Sequence, residues 1–535
     1  METLAALLAA TAARFPEREA VAYAPRGEVV ARRSWEALRA ASRLAAKRLV
    51  AAGVTKGTRV GFLCSNRLDW LPIAFGAARI GAVLVPLSTL WKRDEVRYAL
   101  GHADVSVLVT LPGFLRHDYL GTLQEIVPEL ATAAPGRLFS PALSALRRVI
   151  VLDGDGAGGI ERWDALPATV DDGALDALQS AVSPHDWAVI FFTSGTTAQA
   201  KAVVHSHAGL TVSARRIADC LGIGPDDAWW GHMPLFWSGG FVMGALAAVA
   251  GGARIVLQEV VEPGPALALL EAERCTIMLG WHQAAPLLEH ADFPRRRLFL
   301  KKGSGGTHAL ASRLLGADHV SVGMYGMSET ATCISCGRWD DPEPVRVGTF
   351  GRPLSGMEVR IVDPTNGRRV APGATGEIIV RGPTLMVGYY RVPRAETFDA
   401  EGFFHTGDLG RFDEAGCLHF ASRLKDVIKT AGVNVAASEV EEALARHPAV
   451  RSAHVVGVPD ATRGENVAAF VVLRPGASAT PADVRAFCGA TLASYKVPRH
   501  LFVIDDTELP RTATGKIEKS TLKRLAAARI AANGC

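Results

Sequence analysis

Helical and strand patterns alternate through the first hundred residues. Residues 38–52 repeat apolar side chains at helical spacing and stop at Gly53. Residues 59–64 form a short apolar run that reads as a strand, 71–80 read as a helix, 82–85 as a strand ending at Pro86, and 105–110 as another strand. The apolar runs 188–192 and 253–257 continue the pattern. Alternation of this kind predicts α/β layers around mostly parallel sheets. After residue 345 glycines and turn residues become frequent and short strands follow at 358–362, 377–381 and 418–420, which predicts a β-rich subdomain over about 345–422. Beyond Arg423 helical and strand patterns mix again: helix 438–446, strands 453–458 and 467–473, helix 481–492. The expected organisation is a large N-terminal domain, 1–424, and a small α+β C-terminal domain, 425–535.

One stretch could be misread. Residues 231–253 carry no charge and are long enough to span a bilayer, but they hold Pro234 and Gly239, Gly240, Gly244, Gly251 and Gly252. A loop followed by a buried helix fits better than an integral membrane segment. The N-terminus lacks the basic region of a signal peptide, and Arg14, Glu17 and Arg18 follow closely. A length of 535 residues exceeds what one hydrophobic core serves. The 58 Lys and Arg nearly balance 54 Asp and Glu, for a net charge of +4, which argues against a nucleic-acid partner. Eight cysteines in so long a chain are not a disulfide framework and point to a reducing, cytoplasmic setting.

The chemistry starts at Thr193, Ser194, Gly195, Thr196 and Thr197, which follow the apolar run 188–192 and precede Lys201. Hydroxyls and backbone N–H groups can donate to phosphate oxygens, Gly195 allows close approach, and Lys201 supplies charge. The spacing GxxxxGK[ST] is absent, so this is not a Walker loop. The segment resembles the phosphate loop of the adenylate-forming superfamily, which includes acyl-CoA synthetases, luciferases and peptide-synthetase adenylation domains. Their pattern is TSGTT-G-x-PKG, and Ala198, Ala200 and Ala202 stand here in place of Gly, Pro and Gly.

Further segments match that family in its own order. Gly303, Ser304, Gly305, Gly306 and Thr307 resemble the second glycine-rich segment, which lies along adenine. Tyr325-Gly326-Met327-Ser328-Glu329 resembles YGxTE. The resemblance implies that Tyr325 faces adenine, Ser328 meets phosphate, and Glu329 is a hard oxygen ligand for Mg²⁺, with Thr196 as a second candidate. Thr406-Gly407-Asp408 matches the TGD motif, which implies that Asp408 holds both ribose hydroxyls. By the same resemblance Arg423 also reaches the ribose, Lys425 is the pivot of a mobile C-terminal domain, and Lys429 and Gly432 border coenzyme A. Pro510 to Ile517 match PRTxTGK, which implies that Lys516 bridges the attacking carboxylate and the α-phosphate.

The resemblance therefore implies ATP-dependent activation of a carboxylic acid to acyl-AMP, then transfer to coenzyme A. Pro234 to Phe241 resemble the acyl-site motif, and Trp237, Gly239, Gly240, Phe241, Met324 and Met327 would favour a fatty, cyclic or aromatic acid. Core packing is the competing reading for Phe241 and the methionines. Two alternatives for the whole chain stay open: an acyl-AMP ligase that loads a carrier protein, and a catalytically silent acyl- or nucleotide-binding homologue. A homodimer is the expected assembly. Cys333 and Cys336 form a lone CxxC and read as structural cysteines, and His205 and His207 read as structural neighbours of the phosphate loop.

Overall fold

The computed structural model describes residues 1–193, 200–280, 284–304, 313–316, 319–430, 433–460, 462–512 and 515–533. The chain divides into two compact units. Met1–Val359, Val380–Phe404 and Gly416–Leu418 make the first; Arg360–Ile379, His405–Ala415 and His419–Cys535 make the second.

Two large sheets dominate the first unit. One has eight strands in the order Gly388–Tyr389, Lys201–Ser206, Trp187–Thr193, Val83–Pro86, Arg59–Leu63, Val107–Thr110, Arg148–Val151, Ile160–Arg162. From Trp187–Thr193 onward its neighbours pair in parallel. The first two strands pair antiparallel at one edge. The other sheet has seven strands and is parallel except for the hairpin of Glu19–Ala24 with Ala31–Ser34. This is the α/β architecture expected from the alternation of helices and apolar strands.

The core explains the near-continuous apolar runs. Strands covered on both faces have no solvent side to mark with polar residues. Helix Trp70–Arg79 has every residue buried, and Trp70 stacks obliquely on Phe62 and on Phe241 at 5.5 and 4.8 Å between ring centres. The helix expected at 38–52 spans Trp35–Ala51. It begins earlier because the Ser34 hydroxyl accepts from the Ala37 amide at 3.2 Å, a side-chain cap that precedes the first periodic leucine. The uncharged stretch 231–253 becomes a π-helical segment, Gly239–Leu246, which continues as α-helix Ala247–Gly251 and ends at Gly252 with φ +74°. Its side chains are mostly buried in the core. Among the described residues no helix is long and apolar enough to cross a membrane.

The second unit holds most of a four-stranded sheet, Glu358–Val362, Gly376–Arg381, Phe404–Phe412, Leu418–Arg423. It continues into a mixed five-stranded sheet built on the long antiparallel pair Val450–Asp460 and Gly464–Leu473. Helices Ala437–Ala445 and Pro481–Gly489 pack into one apolar cluster of that sheet through Val440, Leu444 and Val484. Helix Lys519–Asn533 packs into another through Leu522 and Ala526. Strand Val450–Asp460 is longer at both ends than the expected 453–458, because its register with the partner strand continues to the turn at Gly464.

Candidate active site

Within the first unit, Thr193 ends strand Trp187–Thr193 and is the register partner of Lys201, which opens the antiparallel strand Lys201–Ser206. The two ends of the phosphate segment are therefore clamped by a sheet edge and not by a helix N-terminus. Ser194, Gly195, Thr196, Thr197, Ala198 and Gln199 lie outside the described residues, as do Gly305, Gly306 and Thr307. The alanine substitutions that are described cause no strain. Ala200 and Ala202 both keep negative φ, so neither needs glycine's freedom. The Ala200 carbonyl accepts the Tyr98 hydroxyl at 3.1 Å. Ala202 is buried and paired with Phe192, and its carbonyl accepts the Tyr390 amide at 2.8 Å.

Ser328 and Glu329 sit in a single 3₁₀ turn, Ser328–Thr330, just after strand Met324–Tyr325. Gly326 is needed there, since a Cβ would stand 2.2 Å from the Thr332 carbonyl oxygen. Ala331 and Thr332 then follow at φ +48° and +75°. Left-handed backbone at non-glycine residues costs on the order of 1–3 kcal/mol each and persists only where surroundings over-determine it. Here they do. The Ser328 carbonyl accepts from His205 Nε2 at 2.6 Å, the Ala331 carbonyl from the Ser213 hydroxyl at 2.6 Å, and the Glu329 carbonyl from the Met386 amide at 2.8 Å. The Ser328 hydroxyl lies 3.0 Å from that of Ser238, which ties this turn to the acyl-site motif. Tyr325 is buried, its ring edge-on to Phe350.

A residue that sequence reasoning missed joins the turn to the phosphate segment. The Tyr389 hydroxyl donates to Glu329 Oε1 at 2.8 Å, and Lys201 Nζ lies 4.7 Å from the centre of the Tyr389 ring. Burial, and then the Glu329 charge, push the Tyr389 phenol well above its ordinary range, so it stays a hydrogen-bond donor. Tyr389 belongs to a two-residue strand that pairs with Val203 and Val204. Nothing periodic in the sequence marks so short a strand, and its partner Glu329 is 60 positions away. Glu329 itself is a partly buried carboxylate with one oxygen anchored, the hard-donor chemistry that suits Mg²⁺.

The acyl-site candidates separate. Trp237 is half-buried with its ring edge-on to Phe236, and Gly239 has room, its nearest neighbours being the methyls of Met233 and Met243 at 3.7 and 3.9 Å from a would-be Cβ. Gly240 is a glycine for another reason: a Cβ would lie 2.1 Å from the Pro234 carbonyl oxygen. Phe241 is fully buried against Trp70 and Phe191, so it packs as core and not as an open wall. Met324 and Met327 are partly buried. Ser304 places its hydroxyl 3.9 Å from the Met243 sulfur, bringing the start of the second glycine-rich segment to the π-helical segment Gly239–Leu246.

In the second unit, Asp408 is almost fully buried, with 4% of its side chain exposed, and its Oδ1 lies 3.3 Å from Arg423 Nε. Gly407 precedes it at φ +69°, a conformation only glycine takes freely, and donates its amide to Glu377 Oε1 at 3.1 Å. The Asp408 amide donates to the Thr406 hydroxyl at 3.1 Å, so the carboxylate is rigidly presented. Arg423 leads into the short turn Leu424–Asp426, where Lys425 is exposed, yet local desolvation pulls its ammonium below the usual lysine range. Lys429 is exposed and its amide donates to Glu465 Oε2 at 2.9 Å. Gly432 lies outside the described residues. Lys516 sits on a loop closed by Thr512 N–H donating to the Lys516 carbonyl at 2.8 Å, with Gly515 at φ +78° making the turn. Its side chain reaches solvent. Crowding by neighbouring atoms, then the charge of Arg423, hold its ammonium below the usual range.

His205 and His207 are both fully buried. His205 donates from Nε2 to Ser328, and His207 accepts the Leu4 amide on Nδ1 at 3.4 Å, which sets both rings as Nε2–H tautomers. Burial pulls each from the ordinary 6.5 down to about 4, and Asp186 offsets only part of this for His207. The unfolded chain then binds more protons than the folded one between pH 6.5 and about 4, so the contribution is complete above 6.5 and is lost as pH falls through that window. At about 1.4 kcal/mol per pKa unit, the loss is on the order of 3 kcal/mol per histidine. The melting temperature is expected to drop as pH falls below 6.5, and less steeply in His205→Gln; parallel pH profiles for the two proteins would refute the assignment. Cys333 and Cys336 are both free thiols and both buried.

The chain is similar in sequence and fold to known proteins. The family model described as AMP-binding enzyme matches residues 8–390, and that described as AMP-binding enzyme C-terminal domain matches 439–516. The chain is 31% identical over 520 residues to the medium-chain fatty-acid–CoA ligase of Escherichia coli, covering 94% of this chain and 87% of that protein. It is 34% identical over 489 residues to the 3-[(3aS,4S,7aS)-7a-methyl-1,5-dioxo-octahydro-1H-inden-4-yl]propanoyl:CoA ligase of Rhodococcus jostii, covering 88% and 89%. Among solved structures, ATP-bound MatB from Rhodopseudomonas palustris superposes with a TM-score of 0.79 at 26% identity, over 97% of this chain and 98% of that one.

Proposed function

The chain belongs to the AMP-binding enzyme family, and from that membership we propose that it is an acid–thiol ligase, an AMP-forming acyl-CoA synthetase. The observation that carries the reading is the match of both family models, in order, over residues 8–390 and 439–516. Coenzyme A is favoured over a carrier protein as acceptor, since both relatives described above are named as CoA ligases.

Two half-reactions follow. A carboxylate oxygen of the acid attacks the α-phosphorus of ATP, and the bond to pyrophosphate breaks. Thr193, Lys201 and the hydroxyl segment 194–197 orient the triphosphate, with Ser328 on the same phosphates. Glu329, one of whose oxygens Tyr389 fixes, would hold Mg²⁺, which when bound neutralises the triphosphate. Tyr325 and the segment 303–307 take adenine, and Asp408 with Arg423 takes the ribose. Lys516 steadies the charge that develops at the α-phosphate. In the second half-reaction the thiol of coenzyme A attacks the acyl carbonyl and AMP leaves. Gly432 and Lys429 serve that step, with Lys425 as the pivot between 1–424 and 425–535.

An apolar acid is part of the proposal. Trp237, Gly239, Met324 and Met327 offer apolar, partly open surface, and both relatives act on largely hydrocarbon acids by name. Straight-chain acids of graded length and fused-ring propanoic acids, each supplied with ATP and coenzyme A, decide it. Acid-dependent pyrophosphate and AMP with matching acyl-CoA is the expected outcome. Acyl-AMP accumulating without thioester in saturating coenzyme A would move the acceptor to a carrier protein, and no acid-dependent pyrophosphate at all would leave a silent homologue. The proposal extends to a cytoplasmic location and a homodimer; a monomer mass by light scattering would end the latter.

A further inference from the structure

We propose that Tyr389 is a positioning residue for the magnesium-bearing end of the nucleotide, acting through Glu329 and Lys201; this rests on the ATP-dependent reading above. Its hydroxyl occupies Glu329 Oε1 at 2.8 Å. A carboxylate has two oxygens, and fixing one orients the other. Its ring lies under the Lys201 ammonium, 4.7 Å away, where the π face attracts a cation. One side chain thus holds both an anionic and a cationic partner of the same triphosphate. The backbone supports this placement independently: Tyr389 is paired with Val203 on the strand that Lys201 opens, and Met386, three residues earlier, donates its amide to the Glu329 carbonyl. The two segments that carry Lys201 and Glu329 are joined through this short strand.

The two contacts separate by substitution. Tyr389→Phe keeps the ring under Lys201 and removes only the hydroxyl, and Tyr389→Leu removes both. Groups that orient a metal-bound carboxylate typically contribute 10–100-fold to metal affinity. Tyr389→Phe is therefore expected to weaken Mg·ATP binding, measured by titration calorimetry, by roughly 10-fold or more, and to leave ATP binding in EDTA unchanged. Half-saturation by Mg²⁺ in the pyrophosphate assay should rise by a similar factor, with kcat largely recovered at high Mg²⁺. Tyr389→Leu should weaken ATP binding with and without Mg²⁺. On a Glu329→Gln background, Tyr389→Phe should add little, because the carboxylate it orients is gone. Unchanged Mg·ATP affinity in Tyr389→Phe, or equal losses with and without Mg²⁺, would overturn the inference. Those outcomes leave the wild-type reaction standing. A wild-type protein that releases no pyrophosphate would overturn the function instead, and calorimetry would still judge Tyr389.

Discussion

Lys516→Ala is expected to lower acid-dependent pyrophosphate release by about 10²–10³-fold, the loss of about 3–4 kcal/mol that removal of one preorganised electrostatic stabiliser produces. The structure makes the experiment clean. Lys516 is exposed, and the loop that carries it is closed by backbone groups of Thr512 and Lys516 and by Arg511 donating to the Gly515 carbonyl at 3.2 Å. Truncating the side chain breaks none of these, and an exposed substitution away from such features usually shifts stability by no more than about 0.5 kcal/mol. Thioester formation from supplied acyl-AMP and coenzyme A should persist, since that half-reaction needs no charge at the α-phosphate. A Lys516→Arg variant should recover only part of the rate, because a planar fork replaces a compact point charge. Pyrophosphate release within threefold of wild type in Lys516→Ala would remove this residue from the mechanism.

What was legible in the sequence depended on how local the cause was. Parallel strands buried on both faces write themselves as apolar runs, so Arg59–Leu63, Val83–Pro86 and Arg254–Gln258 were each located within a residue or two. Caps shifted the boundaries, as Ser34 did for the helix at Trp35. The motifs were legible because each packs its chemistry into a few consecutive residues. Their glycines were only partly legible. Gly407 is a turn glycine with positive φ, whereas Gly240 is small because the Pro234 carbonyl approaches it, which no local pattern reports. For Phe241 the acyl-wall and core readings competed, and its burial against Trp70 could not be read locally, because Trp70 lies far off in the sequence. Tyr389 was missed for the same reason, as were the contacts that Ser238 and His205 make. Each acts on the Ser328–Glu329 turn across 60 to 123 positions, through pairings that exist only once the sheet edge is assembled.

Asp408→Ala is expected to reduce kcat/KM for ATP by about 10²–10⁴-fold. Hydrogen bonds to a charged group contribute about 1.5–3 kcal/mol each, and this carboxylate is assigned two of them, to the ribose 2′- and 3′-hydroxyls. Asp408 is suited to the task because it has little freedom. It is 4% exposed, its amide is held by Thr406, and Arg423 Nε stands 3.3 Å from Oδ1. A buried, oriented acceptor loses little entropy on binding, so most of the bond energy reaches the complex. Alanine also strips Arg423 of a partner, which turns a second ribose contact into a loosely held one. Asn keeps one acceptor and turns the other position into a donor, so Asp408→Asn should fall between wild type and alanine. The assignment to the ribose is tested from the substrate side. Wild type should use 2′,3′-dideoxy-ATP about as poorly as Asp408→Ala uses ATP, and the variant should no longer distinguish the two nucleotides. A variant that still discriminates against the dideoxy analogue as strongly as wild type would place the ribose contacts elsewhere. The pair of buried Asp408 with exposed Arg423 would then be an element of the second unit's own stability, visible as a lower melting temperature with ATP affinity intact.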